Sequence, residues 1–141
     1  MKRATHMYTD PSDNFLIVAP TYKIMQQSTL PEFLKIMGGF GDYSKADAVF
    51  RVHGGGTVYC RTGTDPDSIV GITNIRHVWA DEAGLLTLYF WENIQARAAF
   101  REAPITITTS PYTLNWLYRE IIRPKMKDSQ ARPDVELVQA S

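Results

Sequence analysis

Arg76-His77-Val78-Trp79-Ala80-Asp81-Glu82-Ala83-Gly84 decides how the rest of the chain is read. Arg76 to Ala80 has the length and apolar content of a strand, and it runs directly into two carboxylates. A buried strand that ends in an acidic pair is how open α/β sheets present charge at the carboxyl ends of their strands, where ligands bind. Because side chains alternate along a strand, Asp81 and Glu82 are expected to point to different sides. Acids are also favoured at a helix N-terminus, so the pair has a purely structural reading as well.

Upstream, Asn14 to Ala19 (Asn-Phe-Leu-Ile-Val-Ala) is a short apolar run closed by Pro20, as expected of a strand covered on both faces. Between Tyr22 and Met37 the spacing of Ile24, Met25, Leu30, Phe33, Leu34 and Met37 is helical, but Pro31 interrupts it. A turn followed by a helix from about Thr29 or Leu30 is therefore expected, ended by Gly38-Gly39 and Gly41. Ala48 to His53 and Thr57 to Arg61, joined by Gly54-Gly55-Gly56, read as a β-hairpin. Without a following lysine and helix, that glycine run is not read as a phosphate site. Thr62 to Ile72 is turn-rich.

Downstream, Leu85 to Ala103 is helical in pattern and Ile105 to Thr109 is a strand stopped by Ser110-Pro111. Thr113 to Ile122 is a helix stopped by Pro124, and Val135 to Val138 reads as a last short strand. Trp91, Phe100, Trp116 and Tyr118 fall at helical spacing and are read as core. Strands alternating with helices imply a mostly parallel sheet with flanking helices and one β-hairpin, an α/β fold.

The 141 residues suffice for one domain, with 44% hydrophobic and 21% charged residues. Fifteen basic and fifteen acidic residues leave no net charge, which argues against a general polyanion binder. The lone Cys60 excludes an internal disulfide and a cysteine-rich zinc site, and suits a reducing, intracellular setting. No apolar run approaches the ~20 residues of a membrane span. His6, His53 and His77 lack ligand spacing. Residues 1–13 are read as a disordered or tag-like leader, and 14–141 as the domain.

The ordered set resembles the ATPase domain of tailed-phage terminase large subunits, the motors that pump DNA into capsids. It comprises Phe15-Leu16-Ile17-Val18-Ala19-Pro20-Thr21-Tyr22, Gly56-Thr57-Val58-Tyr59, Gly63-Thr64-Asp65-Pro66-Asp67-Ser68-Ile69-Val70-Gly71, Val78-Trp79-Ala80-Asp81-Glu82-Ala83, Ile107-Thr108-Thr109-Ser110-Pro111 and Asn115-Trp116-Leu117-Tyr118. The resemblance runs from about Phe15 to Arg119. It implies a P-loop NTPase-type sheet of the ASCE branch, here partial. It further implies Asp81 as the Walker B aspartate that holds Mg²⁺ through water and Glu82 as the catalytic glutamate. Thr108, Thr109 and Ser110 would form the coupling motif, with Thr21 and Tyr22 close to the nucleotide.

Val70 stands where relatives commonly carry arginine, so Arg76 and Arg97 are the remaining candidates for an arginine finger. Arg119, Arg123, Lys125 and Lys127, with Arg132, form a local basic excess over Glu120 and Asp128 that could touch DNA phosphates, though basic residues also suit a helix C-terminus. By the same resemblance the cofactors are Mg²⁺ and ATP, and the partners are double-stranded DNA, the portal and the small terminase subunit. The location would be the host bacterial cytoplasm, outside the mature virion.

The sequence contains no Gly-x-x-x-x-Gly-Lys-Ser/Thr run. Without that loop's amides and lysine, this chain alone is expected to hydrolyse ATP poorly or not at all. The nuclease domain common in the family would lie beyond Ser141. Uncovered apolar edges of such a partial sheet predict either self-association, as in a homo-oligomer, or marginal stability. Two other classes fit the same residues: a non-enzymatic remnant or interaction module from a split gene, and a helicase-like ATPase fragment.

Overall fold

A computed structural model describes residues 10–110, 116–127 and 134–136. Its centre is a six-stranded sheet in the order β2-β3-β4-β1-β5-β6. The strands are β1 (Asn14–Ala19), β2 (Gly41–Ser44), β3 (Val49–Val52), β4 (Thr57–Thr62), β5 (Ile75–Asp81) and β6 (Ile105–Thr108). β4, β1, β5 and β6 run parallel, whereas β2 and β3 join antiparallel beside β4. This is the expected α/β arrangement, with the hairpin formed by β3 and β4.

Alternation along the strands divides the core. Leu16 and Val18 of β1, with Val78 and Ala80 of β5, face α3 (Leu88–Ala99), whose Phe90, Ile94 and Ala98 recur every four residues to meet them. Thr87 caps α3 by accepting the Phe90 amide at 3.1 Å. Trp91 stacks on Trp116 at 5.2 Å, and the Trp116 indole donates to the Leu86 carbonyl at 2.7 Å. Phe15, Ile17 and Ala19 face the opposite layer with Met25, Leu30, Phe50 and Val58.

That second layer departs from expectation. Instead of a turn after β1, helix starts at once: α1 (Tyr22–Ile24), a π-turn (Met25–Thr29) and α2 (Leu30–Met37) follow without a break. Thr21 makes the early start, its hydroxyl accepting the Ile24 amide at 3.1 Å. Pro31 does not end the helix. It has no N–H to give to the carbonyl four residues back, and its ring would crowd that carbonyl. The wider turn just before it, in which the Leu30 amide reaches back to the Met25 carbonyl, accommodates this.

Other expectations also shift. β2 carries no hydrophobic alternation to announce it and is held as an edge by β3. The helix read over Leu85 to Ala103 is shorter, because a one-turn helix (Ala83–Leu85) and the Thr87 cap precede it. The first residues of the helix read over Thr113 to Ile122 lie outside the described residues. Pro124 lies inside α4 (Arg123–Lys127), which directly follows a second π-turn (Tyr118–Ile122). Val135 and Glu136 are not strand, while Leu137 and Val138 lie outside the described residues. Phe100, read as core, is 93% exposed just past the end of α3; the side chain of Tyr118 is outside the description.

Gly54, Gly55 and Gly56 all have positive φ (90°, 129° and 100°), which explains three successive glycines in the hairpin turn. The turn leads into the start of β4, at the sheet end opposite Asp81. Asp10 to Asp13, grouped with the leader in the sequence reading, belong to the fold. Asp13 is buried and pairs with Arg101 at 3.5 Å and Arg76 at 3.9 Å.

Candidate active site

Asp81 is the last residue of β5 and stands opposite Thr108 of β6. Counting back along β5, Asp81 shares a face with Trp79, the face covered by α1, the π-turn and α2. Asp81 is 9% exposed, and its carboxylate is engaged from three elements. Oδ1 accepts the Thr108 hydroxyl at 2.7 Å and the Glu82 amide at 3.0 Å, and Oδ2 accepts the Thr29 hydroxyl at 2.6 Å. Behind Thr108, the Trp79 indole donates to its oxygen at 2.8 Å, so a chain of donors runs from Trp79 through Thr108 to the acid. Hydrogen bonds to an ionised acceptor are roughly twice as strong as neutral ones, and here they lock one orientation of the carboxylate.

Glu82 follows in the left-handed region, φ 49° and ψ 44°. A non-glycine residue there costs about 1–3 kcal/mol and persists only where surrounding contacts impose it. The Glu82 amide bond to Asp81 and the turn formed by Ala83–Leu85 are those contacts. The kink takes Glu82 out of the strand's alternation.

The strand ends of β1 and β6 meet the same sheet edge. Thr109 accepts the Gly84 amide at 3.1 Å and donates to the Ser110 carbonyl at 3.1 Å, tying the end of β6 to the loop after β5. Thr21 caps α1 at the end of β1, and Tyr22 beside it is 61% exposed. Asp81, Glu82, Thr108, Thr109, Ser110, Thr21 and Tyr22 are thus all brought to the carboxyl ends of the parallel strands. Thr29, which sequence reading did not single out, joins them. Its signal was weak, since a threonine two residues before a proline ordinarily marks a helix start.

The arginines go elsewhere. Arg76 lies near the start of β5, about 16 Å of strand away from Asp81, and pairs with Asp13. Arg97 donates to the Val70 carbonyl at 2.8 Å. Arg119 and Arg123 are exposed on the C-terminal helix, Lys125 is half-buried there, and the side chain of Lys127 lies outside the described residues. His77 bonds Thr106 at 2.8 Å, and burial holds its imidazole below the usual range.

The donor set fits a hard cation only at arm's length. Among the described residues no three His, Cys, Asp or Glu side chains converge as a cage. An ionised carboxylate offers about four acceptor positions, and three are taken at Asp81. One remains, which suits Mg²⁺ held through its own waters and completed by substrate phosphates.

No protein-family model and no curated protein matches the sequence. Solved structures do match. The large terminase of a thermophilic bacteriophage superposes with a TM-score of 0.71 at 18% identity, over 89% of this chain and 33% of that one. The same phage's large terminase in complex with ATP-γ-S gives 0.63 at 21%, over 89% of this chain and 31% of that one. The Thermus phage P74-26 large terminase ATPase domain gives 0.62 at 19%, over 83% of this chain and 55% of that one. The chain therefore spans about a third of the first phage's large terminase and about half of the P74-26 domain, and its fold is that of phage large-terminase ATPase domains.

Proposed function

We propose that this chain is part of the ATPase domain of a terminase-like DNA-packaging motor and carries the half of the nucleotide site that manages metal and water. The observation that carries the reading is the carboxylate of Asp81 at the end of β5, fixed by Thr108 from β6 and Thr29 from the helical layer, with Glu82 next to it. The shared fold, and the ATP-γ-S complex of a phage large terminase, support ATP as the ligand.

In this reading Asp81 holds the waters of a magnesium ion with its remaining acceptor position. Bound Mg²⁺ would neutralise charge on the phosphate oxygens during phosphoryl transfer. Glu82 accepts a hydrogen bond from the attacking water and orients it. Thr109 and Ser110, joined to the loop after β5 through Gly84, carry loss of the γ-phosphate into movement of β6. Arg119, Arg123, Lys125 and Lys127 are the basic residues offered to DNA, and portal and small terminase subunit are the protein partners. The compartment is the cytoplasm of the bacterial host.

Titration of the purified chain with Mg-ATP to millimolar concentration tests this. With no Gly-x-x-x-x-Gly-Lys-Ser/Thr run, no saturable heat is expected from the chain alone. Turnover is expected only when a strand–loop–helix segment bearing that motif is supplied, and Glu82→Gln should abolish it. Saturable ATP binding that survives Asp81→Ala, or hydrolysis that survives Glu82→Gln, overturns the proposal.

A further inference from the structure

Thr29 is fully buried, and among the described residues only Asp13 and Asp81 share its position as buried polar or charged side chains. A helical threonine ordinarily returns its hydroxyl to a carbonyl one turn back. Thr29 instead gives it to Asp81 Oδ2, 52 residues away, at 2.6 Å. It sits at the last position of the π-turn that precedes Pro31, and π-turns inside helices cluster at functional sites. The opposite oxygen, Oδ1, is held by Thr108 and by the Glu82 amide. A carboxylate held at one oxygen only can swing as its side chain turns about Cα–Cβ (χ1) or about Cβ–Cγ; held at both, from two different layers, it can do neither.

We propose that Thr29 is a positioning residue that fixes the Asp81 carboxylate from the helical layer, opposing Thr108, and so links the segment 22–37 to the acid that bears the metal. The metal-bearing role rests on the function proposed above; the positioning role rests on the geometry alone. Thr29 acts through Asp81, to which its hydroxyl is given. Its effect is to leave Asp81 a single orientation, with one acceptor position unused. The same helix begins at Thr21 and Tyr22 on the same sheet edge, so a shift of its π-turn and a shift of the carboxylate become one event.

The experiment uses isotope-labelled chain and NMR. Side-chain couplings report the χ1 rotamer of Asp81, and amide exchange at Glu82 reports the bond to Oδ1, read against Val18 and Val78 in the core. The unaltered chain and Thr29→Ser should show one Asp81 rotamer. Thr29→Val and the smaller Thr29→Ala should show rotamer averaging, with Glu82 exchange at least about tenfold faster relative to the core amides. Rescue by serine separates lost positioning from lost packing. Two rotamers in the unaltered chain, or a single rotamer with unchanged Glu82 exchange in both the valine and alanine variants, overturns the proposal. Line broadening by Mn²⁺ forms a separate arm. Broadening centred on Asp81 and lost in Asp81→Asn supports the metal reading, and its absence removes that reading while the rotamer result still decides the role of Thr29.

Discussion

Thr108→Val is the sharpest probe of how the acid is held. Valine keeps the volume and the β-branching that suit an edge strand, so the change is confined to one oxygen. That oxygen donates to Asp81 Oδ1 at 2.7 Å and accepts the Trp79 indole at 2.8 Å. A hydrogen bond to an ionised acceptor contributes about 1.5–3 kcal/mol net. Thr108 is exposed, so water can replace part of it, and the lower end of that range applies. The half-buried indole of Trp79 can likewise turn to water. A loss of about 1.5 kcal/mol is expected, equivalent to a fall in melting temperature of roughly 3–6 °C for a domain of this size.

Urea unfolding followed by tryptophan fluorescence and circular dichroism measures this loss, with Thr108→Ser as the control that keeps the hydroxyl. Combining Thr108→Val with Asp81→Asn closes a double-mutant cycle, and a coupling of about 1 kcal/mol or more is expected for groups in contact. The indole proton of Trp79 should also shift in the valine variant and not in the serine one. A loss below about 0.5 kcal/mol, the range of ordinary surface substitutions, together with zero coupling, would refute the chain of donors from Trp79 to Asp81.

Two further outcomes are expected. Gly41→Ala should destabilise the chain by about 2 kcal/mol or more, because a Cβ there would collide with the Arg51 carbonyl oxygen and lie 2.7 Å from the Phe50 ring; a lowered urea midpoint checks it. Burial pushes the Cys60 thiol from 9.0 up to about 11, so the unfolded chain loses that proton first as pH rises. The stability this thiol contributes is complete below pH 9.0 and lost on the way to about 11. Melting temperatures across that window should fall less steeply in Cys60→Ala, and the native thiol should resist a disulfide reagent at pH 8 until the chain unfolds.

Much of the architecture was legible because its signals are local. Asn14 to Ala19 is apolar on both faces and ends in proline, so a doubly covered central strand follows from periodicity and burial alone. Three glycines between two β-type runs leave few choices but a hairpin. Asp81-Glu82 after a strand placed two carboxylates at the sheet's carboxyl edge. What failed was equally local in cause. Pro31 does lie in the first turn of α2, which begins at Leu30, but the turn expected before it is helix as well, because packing of Met25 and Leu30 among Phe15, Ile17 and Val58 carries the chain through a π-turn. Phe100 has helical spacing, but the helix ends before it and the residue faces solvent. β2 has too few apolar residues to announce itself and exists because β3 offers it an edge.

The sequence by itself determined the alternation of strands and helices, the side of the sheet where charge gathers, and the identity of the acids there, since each depends on residues adjacent in the chain. Only the tertiary structure decided what holds Asp81, because Thr29 and Thr108 lie 52 residues before it and 27 after it, and no periodicity links them. It also decided that Arg76 serves Asp13 and Arg97 serves Val70. A side chain's partner is set by which strands become neighbours and which helix crosses them, and that is a property of the packed sheet rather than of any stretch of the chain.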